Sequence, residues 1–128
     1  MVKIMFCLRR NPALSVEAFQ DYWRNRHAPI VAKHARRLGM LRYVQSHSLH
    51  NPAFAYLSED RGSNVQLFDG VAEVWYKSER SLARTSGNVP EGILAASREL
   101  LEDEQEFIDM ANSRIFVVQE HDIPLPLE

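Results

Sequence analysis

An α+β domain with the element order β-α-β-β-α-β is predicted by three features of the 128-residue sequence. Segments 2–9, 41–50, 71–77 and 114–121 read as strands. Two long amphipathic stretches, 16–38 and 90–109, separate them after the first and third strands. The breakers Asn11-Pro12, Gly39, Asp69-Gly70 and Gly87 fall between these segments, where chain reversals are needed. That order is the ferredoxin-like split βαβ arrangement, a four-stranded antiparallel sheet with both helices on one face.

The first strand, VKIMFCLR, is rich in β-formers and apolar on both parities, as an interior strand should be. Ser15 caps the first helix, Glu17 complements its dipole, and Gly39 is a suitable residue just past its end. Val16, Phe19, Trp23, Ile30, Val31 and Leu38 form one apolar stripe on this helix, with His27 and His34 in its middle. Pro29 removes a backbone donor and disfavours helical geometry at Ala28, so a kink or restart is expected there.

The second strand, LRYVQSHSLH, alternates. Residues 51–69 form a long loop whose Phe54, Tyr56, Leu57, Val65, Leu67 and Phe68 predict an ordered, packed segment. In the third strand Ala72, Val74 and Tyr76 suit a helix-covered face, while Val71, Glu73 and Trp75 take the other. Ser78 caps a short helix over 78–86, and Pro90 opens the second long one, with Ile93, Leu94, Leu100, Leu101, Phe107 and Ile108 at helical spacing. The prolines of the DIPLPLE tail keep it out of a central ladder.

Composition sets the remaining bounds. The length fits one domain, 1–128, with a hydrophobic core, and 45% apolar and 25% charged residues are ordinary for a globular chain. A net charge of -2 with scattered Lys and Arg gives no footprint for nucleic acid or an anionic membrane. The single Cys7 excludes an intrachain disulfide and a cysteine zinc site, and it reads as a small buried hydrophobe. No apolar run approaches a membrane span, and the N-terminus reads as a strand rather than a signal peptide, so a cytoplasmic location is expected.

Helices on one side leave the other sheet face bare, with Tyr43, Gln45, His47, Glu73 and Trp75 expected on it. Such a face favours a homodimer in which two sheets pack about a two-fold axis. His27 has two competing roles: a core histidine bonded to a carbonyl freed by Pro29, or a pocket acid or base. His34 reads as a core or interface histidine, and His50 and His121 as solvated strand-end residues. Glu73 beside Trp75 either acquires a raised pKa on a buried face or pairs with Arg9 or Arg42. His27 and His34 lie seven apart and His47 and His50 face opposite ways, so no metal is expected. The chain has no phosphate-cradling glycine loop and no nucleophile elbow, which argues against nucleotide cofactors and serine hydrolases.

The opening segment, with YWRNRHAP on its helix, the later DGVAEVWY and the late DEQEFIDMANSRIFVV resemble the EthD-type domain family, in the expected order. The resemblance implies a dimeric α+β barrel. Proteins of that fold include cofactor-independent cyclases of aromatic polyketides, a muconolactone-type isomerase, cofactor-free oxygenases and haem-degrading enzymes. It implies His27 and Tyr43 as pocket groups. Glu73 stands where the isomerase branch has a different residue, which argues against a muconolactone substrate.

The function expected is a cofactor-independent enzyme moving protons on a small cyclic or aromatic metabolite, of cyclase, isomerase or lyase type. His27, Tyr43, His47 and Glu73 are its candidate catalytic residues. Trp23, Trp75 and Gln45 are candidate substrate contacts, core packing being the competing role for Trp23. The alternatives are a non-catalytic small-molecule binder or accessory protein of a catabolic pathway, and a haem-binding or haem-degrading protein.

Overall fold

Apolar on both parities, β1 (Val2–Leu8) takes an interior place between two neighbours. With β2 (Arg42–His47), β3 (Gly70–Tyr76) and β4 (Arg114–Val118) it forms a sheet of order β2-β3-β1-β4, every neighbouring pair antiparallel. This is the ferredoxin-like α+β fold. The computed structural model describes residues 1–63 and 66–127. Among them, no helix is long and apolar enough to cross a membrane.

The first long helix is three consecutive pieces: α1 (Val16–Asp21), a π-helical turn (Tyr22–His27) and α2 (Ala28–Leu38). Ser15 caps it by accepting from the Ala18 N–H at 3.1 Å, and Gly39 ends it at φ 75°. The restart at Ala28 follows from Pro29, which sits in the first turn of α2, where no backbone donor is required. The Ala28 N–H instead reaches back to the Trp23 carbonyl, the wider π bond.

That π turn also explains the stripe. Phe19, Trp23, His27 and Val31 recur every four residues, and an α-helix would rotate each step by about 40° from the last. The extra residue in the turn takes up the drift, so all four are buried on one side.

The α4 helix (Glu79–Ala83), capped by Ser78, precedes α5 (Glu91–Phe107). Trp23 and Phe19 join Leu8, Ala72, Phe107 and Ile108 in one core cluster. Val31, Leu38, Ala96 and Leu100 form the second, between α2 and α5.

Register corrects the expected bare face. Tyr43 stands opposite Val74, Gln45 opposite Ala72 and His47 opposite Gly70, so all three share the helix-covered face. Glu73, opposite Met5 and Val44, and Trp75, opposite Lys3 and Arg42, occupy the other face. The five residues therefore belong to two surfaces, not one. Alternation alone cannot fix which parity of β2 faces inward, and the long connection to β3 carries no hairpin signature to set the register.

The uncovered face is partly closed by its own charges. Lys3 Nζ lies 3.2 Å from Glu73 Oε1 and 3.1 Å from Glu120 Oε2. The Trp75 indole N–H donates to Glu120 at 2.6 Å, and the Lys3 and Arg42 cations lie over its ring. Glu73 thus pairs with Lys3 rather than Arg9 or Arg42.

Residues 51–63 hold a 3-10 turn (Pro52–Phe54) and α3 (Tyr56–Glu59). Phe68 lies under the Arg9 guanidinium at 4.2 Å, whereas Phe54, Tyr56, Leu57 and Leu67 are about half exposed or more. The expectation of packing is met at Phe68 and not at these four. Val65 lies outside the described residues.

Candidate active-site cleft

Between the helices and the sheet lies a cleft of about 240 Å³. Ile4, Phe6, Val74, Leu100 and Leu101 supply apolar walls, and Trp23, His27, Tyr43, Tyr76 and Glu104 also line it. Among the described residues, no lysine or arginine lines it. An anionic cofactor or substrate would find no countercharge there.

His27 enters the cleft from the end of the π turn. Its Nδ1 is 2.7 Å from Asp103 Oδ2 on α5, and the Tyr22 hydroxyl donates to Asp103 Oδ1 at 2.6 Å. The carboxylate can only accept, so the imidazole proton sits on Nδ1 and Nε2 keeps a lone pair. The ring packs 5.0 Å from Phe107. Burial lowers the His27 pKa below its ordinary value against the opposing pull of Asp103, keeping the imidazole neutral. Burial, with Asp103 beside it, pushes the Tyr22 phenol up to about 12.

A chain of fixed donors orients Tyr43. The Gln45 amide nitrogen donates to the Trp23 carbonyl at 2.8 Å, which settles the amide's orientation, since a carbonyl only accepts. The same nitrogen donates to the Tyr43 hydroxyl oxygen at 2.9 Å, and the Trp23 indole N–H does so at 3.2 Å. Two donors on one phenolic oxygen force its own proton elsewhere. Among the described residues that proton meets no acceptor, and Tyr43 lines the cleft. Burial raises the Tyr43 pKa, so the phenol remains a donor.

His47 closes this chain from behind. Gln45 Oε1 accepts from His47 Nε2 at 2.9 Å, and the imidazole stacks on Trp23 with ring centres 4.4 Å apart. Burial lowers its pKa, with Arg24 nearby acting the same way. His47 and Gln45 therefore stand behind Trp23 and Tyr43 rather than in the cleft wall. Gly70 makes the stacking feasible: a Cβ there would come within 2.5 Å of the Trp23 ring and 2.7 Å of the Ser46 carbonyl oxygen.

The carboxylate in the cleft is Glu104, not Glu73. Burial, followed by the charge of Asp103, pushes the Glu104 pKa up to about 7. It falls four residues after Leu100 and four before Ile108, within the apolar stripe of α5. That placement was a readable signal, hidden in the acidic run LEDEQEF. Asp103 gives no such signal, because its role depends on the long-range packing of α5 against the π turn.

The other histidines are accounted for structurally. His34 Nε2 lies 2.9 Å from Glu99 Oε1, and His50 and His121 are exposed. Cys7 is half-buried on the uncovered sheet face, where burial raises its thiol pKa. Among the described residues, no three His, Cys, Asp or Glu side chains converge as a metal site.

A ferredoxin-like sheet with one helix-covered cleft, polar at a few points and apolar elsewhere, defines a small α+β protein of the kind that encloses small molecules. The sequence matches the EthD domain over residues 11–111, and the chain belongs to that family. An EthD-family protein of Bacillus halodurans has the same fold, at 18% identity and a TM-score of 0.63, covering 94% of this chain and 99% of that one. HapK from Hahella chejuensis aligns over 100% of both chains, at 8% identity and a TM-score of 0.59. No curated protein matches the sequence.

Proposed function

We propose that the protein is a cofactor-independent enzyme that moves a proton on a small, uncharged cyclic or aromatic carbonyl compound. The observation carrying this reading is the placement of one neutral imidazole base and two neutral donors, Tyr43 and Glu104, around one apolar cleft. Glu104 takes the part expected of Glu73, and Trp75, on the opposite face, has no contact with the cleft.

In the reaction, a carbonyl oxygen accepts hydrogen bonds from the Tyr43 hydroxyl and the protonated Glu104. His27 Nε2 removes a proton from the carbon next to that carbonyl, and the electron pair moves onto the oxygen as an enolate. Asp103 stabilises the imidazolium so formed. Return of the proton to a different carbon completes an isomerisation. Attack of the enolate carbon on a second carbonyl carbon, with that carbonyl's π pair moving onto its oxygen and the His27 proton passing to the alkoxide so formed, completes a cyclisation. The apolar walls limit competing water and strengthen each polar contact. A homodimer packed through the uncovered sheet face, working in the cytoplasm, is part of the same reading.

Deuterium incorporation at the position next to the carbonyl of 1-tetralone, followed by NMR in D₂O, tests it. The protein should accelerate exchange and His27→Ala should abolish the acceleration. Equal rates with either protein and with buffer alone would rule the reading out.

A further inference from the structure

Tyr76 is 3% exposed, lines the same cleft, and its hydroxyl engages no partner among the described residues. Burial pushes its pKa up to about 12, so it stays a donor. It lies two residues beyond Val74, which faces Tyr43, and thus about 7 Å further along the strand. The helix side repeats the spacing. Ser97 and Glu104 both line the cleft from α5, seven residues and about 10 Å apart, with Leu100 and Leu101 between them.

Thr85 and Ser97 stand in the lining with Tyr76. The Ser97 hydroxyl donates to the Thr85 carbonyl at 3.1 Å, and the Thr85 hydroxyl donates to the Leu82 carbonyl at 2.8 Å. With their protons committed, both oxygens can only accept. Tyr76 offers a proton and these two offer lone pairs. A ligand hydroxyl, which accepts one hydrogen bond and donates another, satisfies both.

We propose that Tyr76, Thr85 and Ser97 form a second subsite that recognises a hydroxyl group. The substrate is then an uncharged two-ended molecule, with a carbonyl at Tyr43 and Glu104 and a hydroxyl at the far end. This rests on reading the cleft as the proton-transfer site. A hydroxylated bicyclic ketone, or a ring with a short ketone side chain, has that pattern.

Binding of 6-hydroxy-1-tetralone and 1-tetralone, measured by calorimetry on the full chain, tests the subsite. The wild type should prefer the hydroxylated compound by about tenfold, the worth of one well-placed hydrogen bond. Tyr76→Phe should erase that preference and leave 1-tetralone affinity unchanged, while Tyr43→Phe should weaken both. A wild type with no preference, or a preference surviving in Tyr76→Phe, would overturn the subsite and leave the reaction end standing. Failure of both compounds to bind would overturn the subsite together with the proposed reaction. A thermal melt of Tyr76→Phe matching the wild type shows that the comparison is between folded proteins.

Discussion

His27 Nδ1 lies 2.7 Å from Asp103 Oδ2, joining the end of the π turn to the C-terminal third of α5. The pair fixes both the direction of the ring and the position of its proton, because the carboxylate also accepts from Tyr22. Asp103 is therefore a positioning residue: it acts through His27.

Asp103→Asn tests that role. An amide facing Nδ1 presents either its oxygen or its N–H, and the second choice moves the ring proton to Nε2, where the base is lost. We expect the exchange rate constant to fall about 10²-fold or more with KM little changed. A purely structural Asp103 would instead show a lower melting temperature with the rate retained.

Glu104 makes both activity and stability depend on pH, and the signs differ from those of His27. The folded Glu104 pKa of about 7 lies above its usual value of 4.5. Between these values the folded state holds a proton that the unfolded state has lost, so stability falls as pH rises through 7. Burying the charge costs on the order of 3 kcal/mol above that range. His27, with a lowered pKa, contributes stability present above 6.5 and lost as pH falls through its folded value. Glu104→Gln should flatten the loss between pH 4.5 and 7 in urea titrations, with its largest gain over the wild type above pH 7.

Activity should follow the same two groups. The reaction needs neutral His27 and protonated Glu104, so kcat/KM should be bell-shaped, with its alkaline limb near pH 7. Glu104→Gln should lower the plateau about 10- to 100-fold, as loss of the stronger donor predicts, and remove the alkaline limb. The pH–rate profile of the variant is the check.

Gly70→Ala should disturb the site from a distance. Its added methyl meets the Trp23 ring at 2.5 Å and backbone at 2.7 Å, so the indole must shift. We expect a stability loss of about 1–3 kcal/mol by chemical denaturation. Trp23 is a donor to Tyr43, so a weakened response to Tyr43→Phe in the Gly70→Ala background should accompany it.

The fold was legible because its punctuation is explicit. Ser15, Gly39, Ser78 and Gly87 mark chain ends and turns at the places where the structure uses them. Pro29 marked the irregular turn that carries His27. What the sequence hid were long-range relationships. Tyr43, Gln45 and His47 share a parity, but only pairing with Val74, Ala72 and Gly70 puts that parity under the helices. Glu73 looked like a pocket carboxylate until its register with Met5 turned it to the opposite face. Glu104, sitting between Leu100 and Ile108 on an apolar stripe, was visible in principle and masked by acidic neighbours.

The account turns on a neutral His27 whose free lone pair is on Nε2. Long-range proton–nitrogen correlation NMR of the labelled protein, titrated through neutral pH, reads this directly. The prediction is a protonated Nδ1, an unprotonated Nε2 and a titration midpoint below 6.5. A proton on Nε2 at neutral pH, or a midpoint above 6.5, would contradict it.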